Sequence, residues 1–108
     1  GTLNRLAGVW RDGHFHLEGG RVACPEVRAD VQELYFRPED AIVVPAGDAP
    51  LVGRVDEVQF LGDRTRLTLS GMSVAGPVLV EVSSRRECRV GDRVGLSLPA
   101  AHVFSLHG

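Results

Sequence analysis

His14, His16 and Glu18 alternate along one stretch of chain, a spacing that sets two imidazoles and a carboxylate on one face of a β-strand. Histidines at i and i+2 can hold a zinc-like ion, but a structural site takes four ligands. Cys24, the nearest thiol in sequence, falls on the opposite face beside Phe15 when the hairpin is drawn, so the trio reads as a solvated polar face and no metal is expected. Arg64-Thr65-Arg66 places guanidinium groups on either side of a hydroxyl, and Ser83-Ser84-Arg85-Arg86 sets two hydroxyls beside two more. Either run has the chemistry to fork onto an oxyanion, because the planar guanidinium donates in pairs. Asp63, Glu81 and Glu87 stand close enough in sequence to neutralise these arginines instead. Exposed pairs of that kind contribute about 0–1 kcal/mol. Gly71-Met72-Ser73-Val74-Ala75-Gly76 misses the G-x-S-x-G nucleophile elbow by one residue and leads into a strand, not a helix. Asp56 and Glu57 are adjacent, so on a regular strand they point to opposite faces, and only a bulge would bring them together. His102 and His107 have no fixed partner. No catalytic constellation emerges.

The composition narrows the field. All 12 basic residues are arginine, which excludes the P-loop lysine, Schiff-base chemistry and Ser–Lys dyads. A net charge of −2 argues against a general nucleic-acid binder, which carries a basic stripe. With 108 residues, 44% of them apolar, the chain is sized for one globular core. No run approaches the ~18 apolar residues of a membrane-spanning helix. The opening Gly1-Thr2-Leu3, without an initiating Met, reads as a piece cut from a larger protein.

Short runs with period-two alternation, punctuated by 13 glycines and 6 prolines, predict strands and no helix. Asp12-Gly13 signals a two-residue hairpin turn and Gly19-Gly20 a second, so Leu6–Arg11, His14–Glu18 and Arg21–Pro25 form a three-stranded meander. Its register sets Trp10 opposite Phe15, Val9 opposite His16, Leu17 opposite Val22 and Phe15 opposite Cys24, leaving one apolar face. Strands follow at Glu33–Arg37, Ile42–Val44, Val52–Phe60, Thr65–Leu69, Val78–Val82 and Val94–Leu98, with a terminal strand at His102–Leu106. Within Val52–Phe60 the apolar phase slips, and a bulge near Asp56-Glu57 restores it and bends the strand. Nine or ten short strands with one sharp bend suggest a small barrel.

Tyr35-Phe36-Arg37-Pro38-Glu39-Asp40, then Gly53-Arg54-Val55-Asp56-Glu57-Val58, Leu61-Gly62, Gly91-Asp92-Arg93-Val94 and a closing His102-Val103-Phe104 follow one another in a telling order. The stretch resembles the transport-associated OB (TOBE) domain at the C-terminus of ABC-importer ATPase subunits. The resemblance implies an OB-fold-like bent barrel over residues 33–108, with residues 1–32 as a meander joining it to an ATPase domain. Arg37, Pro38, Glu39, Gly62, Gly91 and Asp92 carry the motif as structural positions. It further implies a regulatory and assembly domain that is not itself catalytic and holds no cofactor, ATP and Mg belonging to the parent. Its partners are the ATPase domain of the same chain, a second ATPase subunit and the membrane permease subunits, with no nucleic acid. The expected location is cytoplasmic, at the inner face of the cell membrane, where Cys24 and Cys88 stay as free thiols. An alternative is a small-oxyanion-binding OB module using Arg64, Thr65, Arg66, Ser83, Ser84 and Arg85. A molybdate site is disfavoured, because Gly62-Asp63-Arg64-Thr65-Arg66 is a poor match to the anion motif of molybdate-type relatives. A third alternative, an OB-type binder of single-stranded nucleic acid, lacks the basic groove and free aromatics it needs.

Overall fold

The computed structural model describes residues 2–23 and 30–106. Among the described residues the strands are β1 Asn4–Ala7, β2 Val9–Arg11, β3 His14–Leu17, β4 Gly20–Ala23, β5 Glu33–Phe36, β6 Ile42–Pro45, β7 Leu51–Phe60, β8 Arg64–Ser70, β9 Val78–Ser83 and β10 Arg93–Ser97. Three short 3-10 turns, Pro38–Asp40, Ala46–Asp48 and Ala100–His102, are the only helical pieces among them. The chain is all-β, as its alternation implies.

Asp12 and Gly13 both take positive φ, 54° and 77°, which is the turn that matches the right-handed twist of a tight hairpin. It closes β2 on β3 with Trp10 opposite Phe15 and Val9 opposite His16, as expected. The second turn differs. Gly20 lies inside β4, opposite Leu17, and Phe15 faces Val22 instead of Cys24. The register is therefore two residues shorter than expected, and a shift of two preserves the faces: Phe15 and Val22 remain buried on one side. Cys24 and Pro25 lie outside the described residues.

Leu6–Arg11 is not one strand. It divides at Gly8, with β2 staying in the meander and β1 pairing antiparallel with β5 in a separate two-stranded sheet. Gly8 permits the break because a Cβ there would lie 2.2 Å from the His16 carbonyl oxygen. The alternation runs through the break unchanged, so the split leaves no mark on the apolar pattern.

β7 organises the larger sheet. Its start, Leu51–Arg54, pairs with β10, while its remainder, Arg54–Phe60, pairs with β8. The register shifts between Val55 and Glu57, which is the anticipated bulge. It lets buried Val55 and half-buried Val58, three residues apart, both turn inward. β8 pairs with β9, and β10 with β6. Backbone hydrogen bonds do not close these strands into a ring. A side chain spans the gap instead: Asn4 Nδ2 donates to the Leu79 carbonyl at 2.6 Å, and Asn4 Oδ1 accepts from the Leu79 N–H at 2.8 Å. That amide copies a ladder pair and ties β1 to β9.

Pro38 ends β5 at Phe36 and opens a 3-10 turn. The expected terminal strand is absent. Ala100–His102 forms a 3-10 turn, and Phe104 makes a single antiparallel bridge to Tyr35. Pro99 at the head of that turn resets the chain before a ladder can lengthen. Both sheets contribute to one cluster holding Leu6, Phe15, Leu34, Phe36, Leu51, Leu67, Leu69 and Leu96. Each such side chain contributes roughly 1.5–3 kcal/mol of burial.

Candidate functional site

Pairing of β8 with β9 sets Arg66 directly opposite Glu81 and Arg64 opposite Ser83. Arg64 and Arg66, two apart, share a face and converge on Glu81. Arg64 Nη1 lies 3.1 Å from Glu81 Oε1, and Arg66 Nη2 lies 2.8 Å from Oε2. Each guanidinium takes one oxygen of a carboxylate whose side chain is only 13% exposed. Arg66 Nε is buried with no hydrogen-bond partner. A cavity of ≈ 550 Å³ separates this pair from the Arg37-Pro38-Glu39 turn, with Thr2 and Leu3 at its margin.

The expected oxyanion set thus divides. Arg64 and Arg66 meet on Glu81, whereas Thr65 points the other way, 1% exposed. Thr65 Oγ1 lies 3.2 Å from Ser84 Oγ, and Ser84 Oγ donates to the Gly62 carbonyl at 2.9 Å. Ser83 Oγ accepts from the Arg85 N–H at 3.3 Å, and the Arg85 side chain is exposed. Ser83 and Ser84 act within the turn after β9, Ser84 reaching the β7–β8 turn.

The motif residues are built into turns. Arg37 lies over the Phe104 ring, 5.9 Å from its centroid, a cation–π distance. Phe104 stacks on Tyr35 at 6.2 Å. Tyr35 donates its hydroxyl to Glu33 Oε2 at 3.0 Å, and Arg5 Nε lies 3.3 Å from the same oxygen. Loss of solvent, followed by the Glu33 hydrogen bond and charge, raises the Tyr35 phenol above its ordinary range. Pro38 is buried, and the Asp40 N–H donates to the Arg37 carbonyl at 3.0 Å. Gly62 and Gly91 take φ of 89° and 96°, where side chains are strained. The Gly91 N–H donates to the Val55 carbonyl at 2.7 Å, and the Val55 N–H donates to the Asp92 carbonyl at 2.8 Å. Asp92 Oδ2 in turn accepts from the Arg89 N–H at 2.9 Å. Gly91 and Asp92 therefore lock the entry of β10 onto β7 beside the bulge.

β7 carries a bulge, Pro38 opens a 3-10 turn just after β5, and Gly62 and Gly91 take positive φ. The TOBE domain family profile matches residues 34–106. The chain belongs to the TOBE domain family. Two curated relatives are the sulfate/thiosulfate import ATP-binding proteins CysA 1 and CysA 2 of Chromobacterium violaceum. They are 29% identical over 113 residues and 32% identical over 120. Those alignments take in 97% and 100% of this chain but 32% of each relative, so the chain spans about a third of their length.

Other chemical candidates in this TOBE domain resolve into structure. Ser73, in the near-elbow segment, is 6% exposed, and its Oγ accepts the N–H groups of Ala7 at 2.9 Å and Ala75 at 3.1 Å. Ser73 is a second tie on β1, unforeseen because its partner is 66 residues away. His14 Nδ1 lies 3.1 Å from the Asp12 carbonyl, and the His14 and His16 rings are 6.3 Å apart. Among the described residues no three His, Cys, Asp or Glu side chains gather as metal ligands. Asp56 sits in the bulge and Glu57 follows it, both exposed. His102, expected to lack a fixed partner, has Asp40 Oδ2 at 3.8 Å from its Nδ1. Cys88 is a half-buried free thiol, while His107 lies outside the described residues. No helix among the described residues is long and apolar enough to cross a membrane.

Proposed function

We propose that this TOBE domain is the regulatory and assembly domain of the ATP-binding subunit of an ABC importer and is not itself catalytic. The observation that carries it is the coverage of the alignments: nearly the whole chain matches 32% of two import ATP-binding proteins, through a family profile over residues 34–106. With all 12 basic residues arginine, the chain has no P-loop lysine. Hydrolysis therefore belongs to a separate ATPase domain of the parent, which would hold ATP and Mg.

Residues 1–32 are the joining segment and 33–108 the OB-like barrel in this proposal. β1 supports the joining role, since Asn4 and Ala7 tether it to the barrel at Leu79 and Ser73. The partners are that ATPase domain, a second ATPase subunit and the permease subunits, at the cytoplasmic face of the cell membrane. The relatives' names make sulfate or thiosulfate the transported species to try first. Single-stranded nucleic acid is not proposed as a ligand, because Phe15 is fully buried and Trp10 packs partly against the core.

The test is the complete reading frame and its product. We expect a P-loop and an ABC signature on the N-terminal side of Thr2, and ATP hydrolysis by the parent protein but not by the 108-residue chain. A secretory leader directly upstream, or turnover of ATP by this chain alone, would overturn the proposal.

A further inference from the structure

Among the described residues β9 has a neighbouring strand, β8, on one side only. On its other side Leu79 turns both backbone groups to the Asn4 amide. Main-chain groups alternate between the two edges of an antiparallel strand, so those of Glu81, two residues on, face the same free edge. No strand covers them among the described residues. An open row of N–H and C=O groups is a template for a further strand.

Glu81 also lines the cavity of ≈ 550 Å³ beside the Arg37-Pro38-Glu39 turn, together with Arg66, Thr2 and Leu3. Arg37 and Arg66 are matched there by Glu39 and Glu81, so the lining carries no net charge and does not select an anion. Arg66 Nε is nevertheless a buried donor without a partner among the described residues. Glu81 already meets the guanidinium charge, so what Nε lacks is an acceptor, and a neutral peptide carbonyl supplies one.

The path of the chain says which peptide that is. Asn4 sits at Leu79, and Thr2 and Leu3 share the cavity with Glu81. Traced backwards from Asn4, the chain therefore follows β9 forwards, the direction of an antiparallel addition. β5 cannot hold that segment. Continuing its register would set Thr2 opposite Pro38, which has no N–H and opens the 3-10 turn. Thr2 and Leu3 accordingly lie outside β1 and are exposed.

We propose that the β9 edge at Glu81, with the cavity beside it, is the dock for the polypeptide leading into Thr2. That segment lies there as a short antiparallel strand and gives a main-chain carbonyl to Arg66 Nε. The proposal rests on the reading that an ATPase domain precedes Thr2 in the parent. The joint between the two domains is then a hydrogen-bonded element, not a free tether.

The experiment compares hydrogen exchange by NMR in three proteins. They are the 108-residue chain, the same chain preceded by the stretch that its own reading frame encodes immediately upstream, and the chain preceded by a glycine-serine stretch of equal length. With its own upstream stretch, the Glu81 N–H should exchange at least about tenfold more slowly than in the other two, the effect of one added main-chain hydrogen bond. The rate is read against the Val80 N–H, which faces β8. The Arg66 Nε–H should slow together with Glu81. Equal Glu81 exchange in all three proteins would overturn the proposal. So would protection already present in the 108-residue chain that grows with its concentration, which assigns the edge to a second copy. An upstream sequence without a P-loop and ABC signature refutes the importer reading by itself, and the exchange comparison decides the docking separately.

Discussion

Asn4→Ala removes the side chain that spans the gap between β1 and β9. In the native chain the amide satisfies both backbone groups of Leu79, with bonds of 2.6 and 2.8 Å, and Asn4 is only 4% exposed. Truncation leaves the half-buried N–H and C=O of Leu79 without partners, each costing about 1–3 kcal/mol. The expected loss is about 2–6 kcal/mol, a large fraction of the ~5–15 kcal/mol that holds a domain together. For a chain of this length that is a fall in Tm of at least about 8 °C. Asn4→Asp sharpens the test. The ionised carboxylate accepts from the Leu79 N–H but cannot donate to its carbonyl, and it carries a buried charge. Its folded pKa must therefore lie above the unfolded value of about 3.9. The folded state then binds more protons, so relative stability rises as pH falls through the folded pKa, and is lowest above it. Urea unfolding at pH 8 and pH 4.5 should show the Asn4→Asp deficit shrinking at the lower pH while that of Asn4→Ala stays constant. A deficit below about 0.5 kcal/mol for Asn4→Ala, in the range of ordinary surface changes, would refute the reasoning.

Gly8→Ala drives a methyl group to within 2.2 Å of the His16 carbonyl oxygen and 2.9 Å of the Phe15 ring, and should cost about 1–3 kcal/mol in urea unfolding. Glu81→Gln strips the shared carboxylate from Arg64 and Arg66; with Glu81 13% and the arginines 49% and 32% exposed, a loss of about 1–3 kcal/mol is expected, between the surface and buried limits. That loss should narrow in high salt, measured by repeating the melt at 1 M sodium chloride, roughly a 3 Å screening length. Phe60→Ser, at a side chain 75% exposed, should change stability by less than about 0.5 kcal/mol by the same melt.

Local chemistry was legible and long-range closure was not. Asp12-Gly13 prescribes its turn through positive φ, and the slip from Val55 to Val58 foretells the bulge, because both signals are written within a few residues. The break at Gly8 was invisible for the opposite reason. Leu6, Gly8 and Trp10 keep one parity, and the close approach of the His16 carbonyl, which only a residue without a Cβ admits, is a tertiary contact. The second hairpin slipped by two residues because it turns at Glu18-Gly19 with Gly20 already in β4, and a shift of two leaves the faces unchanged, so the faces do not reveal it. Glu81 was visible as a neutralising neighbour of Arg64 and Arg66. The opposition of Arg54 on β7 and Arg93 on β10 was not, since it needs the register of β10 on β7.

The two arginine pairs use the same sheet geometry and end in different chemical states. On β8, Arg64 and Arg66 lie two apart and a carboxylate on the next strand gives each an oxygen. Its acceptors are committed, and even so Arg66 Nε stays buried and unpaired. On β7 and β10 the guanidiniums face each other across the ladder, and the flanking positions supply a hydroxyl instead of a carboxylate. Lysine could not substitute at Arg64 or Arg66 without changing the pair, because a compact, rotatable ammonium lacks the planar guanidinium that takes one oxygen of the shared carboxylate. A chain whose cations are all arginine thus has one pair spent on holding β8 to β9 and one pair whose donors still face solvent. The difference rests on Glu81, which only the first pair has within reach.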